Sequence, residues 1–324
     1  MKKILSFLLK AILFFVVGFF AFFFWASSSN LEESEYEKSM TLDVENVTKN
    51  DSLFTIATYN IGYLSGMTNN TAKARPRLLF DSNLTKVQEV IESSHIDILA
   101  LQEIDYASSR SHFVDQQKAL AEMGYANVAQ AINWDKKYVP FPKSPWSAHF
   151  GKVVSGQSIL SKFPIMEHQR IILDKVERLN FFEAPFYLDR LAQVATILID
   201  NRPVKVINVH TEAFDQETRM KHLNRLADLY KKYASDHPTI LLGDFNSEPK
   251  EETLLKDIIM SIEGIDAAVN DLNEGTFPSI DPTRRIDFIF YNKRFIEAIS
   301  SRVITEVEDA SDHLPVMMTF RLKK

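Results

Sequence analysis

Short apolar runs that end in polar residues constrain this chain more than any other feature of its sequence. "TIATYN" ends at Asn60, "ILALQE" ends at Glu103, "VINVH" ends at His210, and "TILLGDFN" brings in Asp244 and Asn246. Runs of this length that alternate with helix-like segments are typical of buried strands in an α/β fold. The sequence therefore predicts a layered α/β sandwich whose strand ends converge on a polar cleft at one edge of a sheet.

Periodicity and turn residues place the individual elements along the chain. The predicted strands cover residues 54–61, 97–103, 158–161, 169–174, 192–199, 204–210, 239–245, 285–291 and 316–322. The predicted helices cover residues 83–94, 115–123, 216–234 and 250–262. Residues 138–146 are rich in proline and aromatic side chains, which predicts a loop.

The N-terminus has the pattern of a membrane or export segment. Lys2 and Lys3 precede an apolar run from Ile4 to Ala26, and acidic residues follow it. This run is long enough to cross a bilayer, which takes about 20 residues, and the charges favour an N-inside orientation. We expect an uncleaved transmembrane anchor over residues 1–29, with a cleaved signal peptide as the alternative because "WASSS" offers small residues. Residues 30–51 are predicted to be a linker, and residues 52–324 a single catalytic domain.

Composition limits the class of protein. The 324 residues carry a net charge of −6, which provides no global attraction for nucleic acid, and they include no cysteine. Disulfides and thiolate zinc sites are therefore excluded. HExxH spacing and a glycine-rich phosphate loop are also missing from the sequence, which disfavours zinc hydrolases and NTPases. Carboxylate and amide oxygens at strand ends instead favour Mg²⁺ or Mn²⁺.

Seven segments, taken in order, resemble the endonuclease/exonuclease/phosphatase superfamily. They are "TYNIGYLSG", "LQEID", "GQSILSKFPI", "NVHTEAF", "GDFNSEP", "RIDFIFYN" and "SDHLPV", and they span roughly residues 53 to 322. The resemblance implies a four-layer α/β sandwich in which two packed mixed β-sheets are flanked by helices. It also implies cleavage of phosphoesters with a divalent metal.

Roles for individual residues follow from this resemblance. Glu103 and Asn60 would bind the metal, and Asp312 would complete or support the metal site. Asp244 and Asn246 would orient the attacking water and hold a phosphate oxygen. His313 would face the phosphate with Asp287 as its hydrogen-bond partner, and a carboxylate in that position fixes the tautomer of an imidazole.

Two further residues bear on the branch of the superfamily. His210 matches the position that is histidine in deoxyribonucleases and sphingomyelinases, and Arg190 matches a phosphate-contacting arginine of the deoxyribonuclease group. Taken alone, each site residue also has a structural interpretation, such as an ion pair for Arg190 or an Asx-turn for Asp244. Either Asp244 or His313 would serve to activate the water.

The substrate stays open at this level because a fold does not determine it. We expect a monomeric phosphodiesterase that lies outside the cytoplasm, membrane-anchored or secreted, and acts on a lipid head group, a small phosphodiester or nucleic acid. A phosphomonoesterase acting on a phosphorylated lipid or inositol is the first alternative. The alternative from another class is a membrane-tethered binding module that has lost catalysis. Tyr63, Trp134, Tyr138, Phe141 and Trp146 would form an aromatic rim over the cleft or cover the core.

Overall fold

Two mixed β-sheets packed face to face form the centre of the protein. The structure, a computed structural model of the chain, describes residues 2–43, 52–69, 71–249, 255–269 and 274–324. The strands are β1 (Glu37–Thr41), β2 (Phe54–Asn60), β3 (Ile98–Asp105), β4 (Asn127–Val139), β5 (Gly151–Ser161), β6 (Ile165–Ile172), β7 (Leu191–Ile199), β8 (Arg202–His210), β9 (Thr239–Asp244), β10 (Ile265–Ala267), β11 (Asp287–Asn292), β12 (Ile296–Val303) and β13 (Val316–Leu322). The helices are α1 (Lys2–Ser27), α2 (Arg77–Ser94), α3 (Gln116–Ala121) and α4 (Gln216–Ala234), with a π-helical turn at Lys256–Met260.

The strand order explains how the two sheets are built. One sheet has seven strands in the order β1-β4-β5-β3-β2-β13-β12, and the other has six in the order β10-β11-β9-β8-β7-β6. Each sheet contains one parallel pair, β2 with β3 and β8 with β9, among antiparallel neighbours. The predicted sandwich of two packed mixed sheets flanked by helices is confirmed.

Three apolar layers hold the sandwich together. Between the sheets, buried side chains such as Ile98 and Ile240 meet in one cluster. On the outer face of the seven-stranded sheet, α2 contributes Val87 to a second cluster. On the outer face of the six-stranded sheet, α4 contributes Leu223 and Leu226 to a third, as its predicted apolar stripe requires. Burial of these faces is the main stabilising term.

A polar layer interrupts the core beneath the edge where the predicted site residues converge. The Asn208 side chain accepts a hydrogen bond from Gln102 Nε2 (2.6 Å) and donates to the carbonyl of Leu101 and to Gln193 Oε1 (both 3.1 Å). Gln102 and Asn208 are fully buried and belong to different sheets. Buried amides need such partners, so this network sets how the two sheets register against each other.

The segment predicted as a linker contains an edge strand. β1 pairs with β4 from Glu37↔Ala131 to Thr41↔Asn127. The residues before β1 are also held in place, because the backbone amides of Asn30 and Leu31 donate to the Asp135 carboxylate at 2.9 and 2.8 Å. The apolar period of β1 is too weak to detect in the sequence, since its side chains are exposed or only partly buried.

Other elements also differ from the prediction in their extent or presence. Tyr138 and Val139 of the predicted loop belong to the end of β4. Strands β4, β10 and β12 are, like β1, absent from the sequence prediction. β4 carries polar residues whose partners come from distant parts of the chain, so its alternation is obscured. α2 begins at residue 77 rather than 83, whereas α4 has the predicted bounds. Of the predicted helix 250–262, residues 250–254 lie outside the described residues, and the rest contains the π-helical turn.

Candidate active site

Strand pairing brings the predicted site residues to one edge of the sandwich. Asn60 at the end of β2 pairs with Gln102, next to Glu103, and His210 at the end of β8 pairs with Asp244. The start of the antiparallel strand β11 places Asp287 opposite Asp244. Ends of parallel strands share one edge of a sheet, and the packing of the two sheets brings both edges together.

Two of these residues have unusual backbone conformations. Glu103 has φ of 51° and lies within a register irregularity of β3 against β5 between Leu101 and Ile104. Asn246 has φ of 47° just after β9. Positive φ is uncommon for residues other than glycine, and together with bulges it occurs at functional sites, where it re-aims a side chain.

One part of the site is a pair of carboxylates joined by an amide. Asn69 Nδ2 lies 3.0 Å from Glu103 Oε2 and 3.3 Å from each oxygen of Asp312. Burial, followed by the negative charge of Asp312, raises the pKa of Glu103. Two carboxylates this close to one donor repel each other unless a positive charge lies between them.

Asp244 lies at the centre of the site. Its Oδ2 accepts from Asn60 Nδ2 (3.0 Å), and its Oδ1 accepts from the backbone amide of Asn246 (2.9 Å). Burial raises the pKa of Asp244 to about 7, although the positive charge of His313 acts in the opposite direction. The side-chain amide of Asn246 donates to the carbonyl of Thr211 at 3.2 Å. Asn246 thus supports the loop after β9 and the carboxylate at once.

His313 and Asp287 form a buried pair. His313 Nδ1 lies 3.0 Å from Asp287 Oδ2, and His313 Nε2 lies 3.9 Å from Asp244 Oδ2. Burial on its own lowers the pKa of His313, but the charges of Asp287 and Asp244 outweigh it and raise the pKa to about 10. A pKa this high favours the charged form of His313 at neutral pH. Its Nε2 also lies 3.5 Å from Asn60 Nδ2, and the ring of Phe277 lies 4.9 Å from the imidazole, centroid to centroid.

His210 is held in the opposite charge state. Arg190 Nη1 lies 2.7 Å from His210 Nε2, so this nitrogen accepts and the imidazole is neutral. Burial, and then the charge of Arg190, lowers the pKa of His210 well below its usual value. Arg190 also pairs with Glu212 (3.3 Å), which in turn accepts from the hydroxyl of Tyr187 (2.8 Å). The structural and functional interpretations of Arg190 thus apply together, because an ion pair orients it toward the site.

All nine predicted site residues lie in one connected group. His210 Nε2 links its two halves, being 3.4 Å from Asp244 Oδ2 and 3.9 Å from Glu103 Oε1. The sequence reasoning missed Asn69, Glu212 and Tyr187. Glu212 stands two residues after His210 in the "NVHTEAF" segment and was recognisable there, whereas Asn69 lies in an irregular loop with no periodic signal.

The donor set fits a divalent cation. Glu103 and Asp312 offer clustered carboxylates, of which Glu103 keeps 14% of its side chain exposed and so stays reachable from solvent. Asp244, Asp287 and His313 offer a second set of potential ligand atoms that lie within 4.8 Å of one another. Hard oxygen donors suit Mg²⁺ or Mn²⁺, and both sets provide them.

The family comparison agrees with this arrangement. A family model described as "Endonuclease/Exonuclease/phosphatase family" matches residues 57–313. The chain belongs to this family. Members of this family are hydrolases that act on phosphoester bonds, and they generally use divalent metals. No curated protein sequence matches the chain.

Solved structures show the same fold at low sequence identity. An endonuclease/exonuclease/phosphatase from Beutenbergia cavernae has a TM-score of 0.61 and 19% identity over 84% of this chain and 72% of its own. The human Nocturnin catalytic domain with bound sulfate has a TM-score of 0.56 and 19% identity over 91% of this chain and 100% of its own. Mannosyl-6-phosphatase Bt3783 from Bacteroides thetaiotaomicron has a TM-score of 0.57 and 17% identity over 82% of this chain and 99% of its own. At such identities the likeness concerns the fold alone.

Proposed function

We propose that the protein is a divalent-metal-dependent phosphodiesterase with its catalytic domain outside the cytoplasm. The observation that carries the proposal is the juxtaposition of two charge arrangements at one sheet edge. A carboxylate pair (Glu103 and Asp312) suits a cation, and a buried imidazolium (His313) faces a carboxylate (Asp244) across 3.9 Å. Hydrolysis of a phosphodiester benefits from both, because its anionic oxygens repel hydroxide and more negative charge develops on them in the transition state.

The metal site in this proposal consists of Glu103, Asp312 and Asn60, with Mg²⁺ or Mn²⁺ as the cation. When bound, such a cation neutralises charge on phosphate oxygens. Asn69 is the residue that must adjust, because its amide nitrogen now lies between the two carboxylates. An amide that turns its oxygen toward this place adds a ligand of the kind that hard cations prefer.

The remaining residues act on the phosphate and the water. Asp244, anchored by Asn60 and Asn246, accepts a proton from the attacking water. His313, held by Asp287, donates through Nε2–H to a phosphate oxygen, and Arg190 provides a second positive charge beside His210. Water adds to phosphorus as Asp244 takes its proton, and the bond from phosphorus to the leaving oxygen breaks. The leaving oxygen takes up a proton from solvent, so the products are a phosphomonoester and an alcohol. General acid–base help of this kind contributes about 10²–10⁴-fold to a rate.

The proposed location depends on α1. Within the described part of the chain, α1 is long and apolar enough to cross a membrane, and a signal sequence near an N-terminus has the same properties. Lys2, Lys3 and Lys10 on its N-terminal side favour a cytoplasmic N-terminus. N-terminal sequencing of the mature protein tests retention of the helix. A sequence that begins at Met1 or Lys2 supports an anchor, and a start near Ser28 or Ser29 shows cleavage.

Activity is tested on the full chain in detergent, because truncation at residue 52 would remove β1 and expose the edge of β4. Hydrolysis of bis-(p-nitrophenyl) phosphate, p-nitrophenyl phosphate, sphingomyelin and plasmid DNA is measured with Mg²⁺ or Mn²⁺ and then with EDTA. We expect diester turnover that EDTA abolishes. Turnover of the monoester alone would favour the phosphomonoesterase, and no metal-dependent turnover on any substrate would favour the inactive binding module.

A pair of matched variants tests the assignment of the metal. Glu103→Gln removes one carboxylate charge and should lower turnover by at least about 100-fold. Loss of a group that only orients a metal ligand already lowers activity by about 10–100-fold, and loss of a ligand should cost no less. Glu177→Gln is the control, since the side chain of Glu177 is 82% exposed and pairs with Lys221 at the surface. Equal activity of Glu103→Gln and the wild type would remove Glu103 from the metal site.

A further inference from the structure

A large apolar cavity lies where α1 meets the domain. Its volume is about 1010 Å³, at the upper end of the roughly 300–1,000 Å³ that is usual for small-molecule sites. Side chains from three parts of the chain line it: α1, the end of β4 with the loop after it, and residues 179–188. Among them are Phe19, Phe23, Trp134, Phe141, Leu179 and Phe186.

Contacts along the last turns of α1 position the helix against the domain. Phe23 packs against Phe181 (ring centroids 5.4 Å apart) and Phe186 (5.6 Å), and Ala26 is fully buried. Lys136 Nζ donates to the carbonyl of Ser27 at 3.0 Å, at the C-terminal end of the helix. The helix therefore leaves the membrane directly onto β4, without a flexible spacer.

Helix geometry sets the depth of the cavity in a bilayer. A helix rises about 1.5 Å per residue and crosses about 30 Å of hydrocarbon in about 20 residues. Counted from Lys3 at the inner boundary, the outer boundary falls at about Phe23. Phe19 and Phe23, which line the cavity, thus lie at or just below the outer surface of the hydrocarbon layer.

Exposed aromatic residues next to the helix fit this position. Phe181 and Phe182 are 58% and 52% exposed, although they contact α1. Adjacent exposed phenylalanines are unfavourable in water, and such patches mark membrane or protein contacts. Their place beside the end of a spanning helix identifies the apolar phase of the bilayer as what covers them.

The cavity shares wall residues with a cleft that lies beside the candidate active site. Leu179, Tyr187 and Leu188 line both the cavity and a smaller cleft of about 70 Å³ whose wall includes Arg190 and Glu212. From that cleft the Tyr187 hydroxyl reaches Glu212 at 2.8 Å, and Arg190 reaches His210 at 2.7 Å. One wall thus runs from the apolar membrane boundary to the cationic side of the phosphate site.

We infer that the substrate is a membrane lipid with a phosphodiester, and that the cavity between α1 and the domain holds its acyl chain. The inference rests on the proposed phosphodiesterase function and on retention of α1. The acyl chain occupies the apolar cavity while the head-group phosphate lies between Arg190 and His313. Hydrolysis then adds water to phosphorus and breaks one phosphorus–oxygen bond, so that the head group and the lipid part separate.

Lipid occupancy is tested without any activity measurement. The full chain is placed in nanodiscs of phosphatidylethanolamine and phosphatidylglycerol that carry a diazirine on one acyl chain, irradiated, and mapped by mass spectrometry. We expect labels on residues 179–188 and on the loop after β4. In Leu179→Trp, which narrows the passage, labelling of these segments should fall at least fivefold. Labels confined to α1, or cross-links between two copies of α1, would overturn the inference.

Substrate use is tested by a ratio of two activities. Turnover of phosphatidylglycerol in nanodiscs is divided by turnover of bis-(p-nitrophenyl) phosphate, each with Mg²⁺. Leu179→Trp and Leu179→Ser should lower this ratio at least tenfold. Leu78→Trp is the control, because Leu78 is 76% exposed on α2 and does not line the cavity. Circular dichroism checks that each variant is folded.

The outcomes separate this inference from the proposed function. A ratio unchanged by both Leu179 variants, or plasmid DNA cleaved faster than lipid in every variant, overturns the lipid substrate while leaving the phosphodiesterase intact. If the wild type hydrolyses neither substrate, the proposed phosphodiesterase activity and the lipid substrate are both overturned. Diazirine labelling in that case still reports whether the cavity holds an acyl chain.

Discussion

The Asn208→Leu substitution tests whether the polar layer between the sheets holds the site in place. Asn208 is fully buried, and its amide group bonds to both sheets. Leucine has the same number and branching of heavy side-chain atoms but makes no hydrogen bonds. The variant therefore keeps the shape of the side chain, adds methyl volume and removes the polar contacts.

The expected magnitude follows from the partners that are lost. The carbonyl of Leu101 and Gln193 Oε1 each lose a donor at 3.1 Å, while Gln102 Nε2 keeps its bond to Thr58 Oγ1 at 3.0 Å. A buried group left without a partner costs about 1–3 kcal/mol. Gln193 Oε1 is the acceptor left without its donor, whereas Leu101 also pairs with Ser158 in the β3–β5 ladder. The free energy of unfolding should therefore fall by about 2 kcal/mol.

Urea denaturation of the full chain in detergent, followed by circular dichroism, measures this fall. Asn224→Leu is the matched control, because Asn224 is exposed on α4 and its side chain donates to the carbonyl of Met220, within the same helix, at 2.9 Å. A surface change of this kind should alter the free energy of unfolding by less than about 0.5 kcal/mol. A loss no larger than about 0.5 kcal/mol for Asn208→Leu would refute the reasoning, since it would mean that water or neighbouring groups satisfy Gln193 Oε1.

Three further changes probe single features of the molecule. In Gly62→Ala, the added Cβ would lie 2.8 Å from Asp312 Oδ1, at a backbone φ of 51°. The affinity for Mn²⁺, measured by calorimetry, should fall about tenfold or more, and a change below twofold would contradict a metal role for Asp312. In Asp287→Asn the pKa of His313, followed by NMR of its ring, should fall well below about 10 because the carboxylate charge that raises it is gone, and an unchanged titration would exclude this pairing. Burial lowers the pKa of His168 to about 4, so as the pH falls the unfolded chain takes up the proton before the folded chain does. The stability that depends on neutral His168 is therefore complete above pH 6.5 and is lost as the pH falls toward 4. That loss amounts to about 3 kcal/mol by pH 4 and should shrink in His168→Gln when unfolding is measured at pH 7 and pH 4; identical pH dependence of the two proteins would show that His168 does not titrate in this range.

The fold was predictable from local patterns wherever a strand is buried on both faces. β2, β3, β8 and β9 each contain a short run of mostly apolar residues, and α4 has an apolar stripe. The predicted bounds of these elements are therefore close to the observed ones. β1 and β12 lie at the two edges of the seven-stranded sheet, where only one neighbour pairs with them and polar side chains are tolerated. Such strands depend on their partners, so their own residues carry little signal.

The sequence by itself determined which chemical groups are available and at which strand ends they stand. Asp244, Asp287 and His313 follow or begin apolar runs, and no arrangement of the chain would supply a thiolate or a glycine-rich phosphate loop. Side-chain identity and strand periodicity are local properties, so they can be read without coordinates.

Only the tertiary structure decided the charge states and the surroundings of these groups. Burial together with Arg190 at 2.7 Å lowers the pKa of His210, while the charge of Asp287 at 3.0 Å outweighs burial and raises the pKa of His313. Contacts between residues far apart in the chain place Asn69 beside the Glu103–Asp312 pair. Contacts of the same kind make α1 one wall of the apolar cavity. Electrostatic energies and cavities depend on distances of a few ångströms across such contacts, and no local pattern in the sequence records those distances.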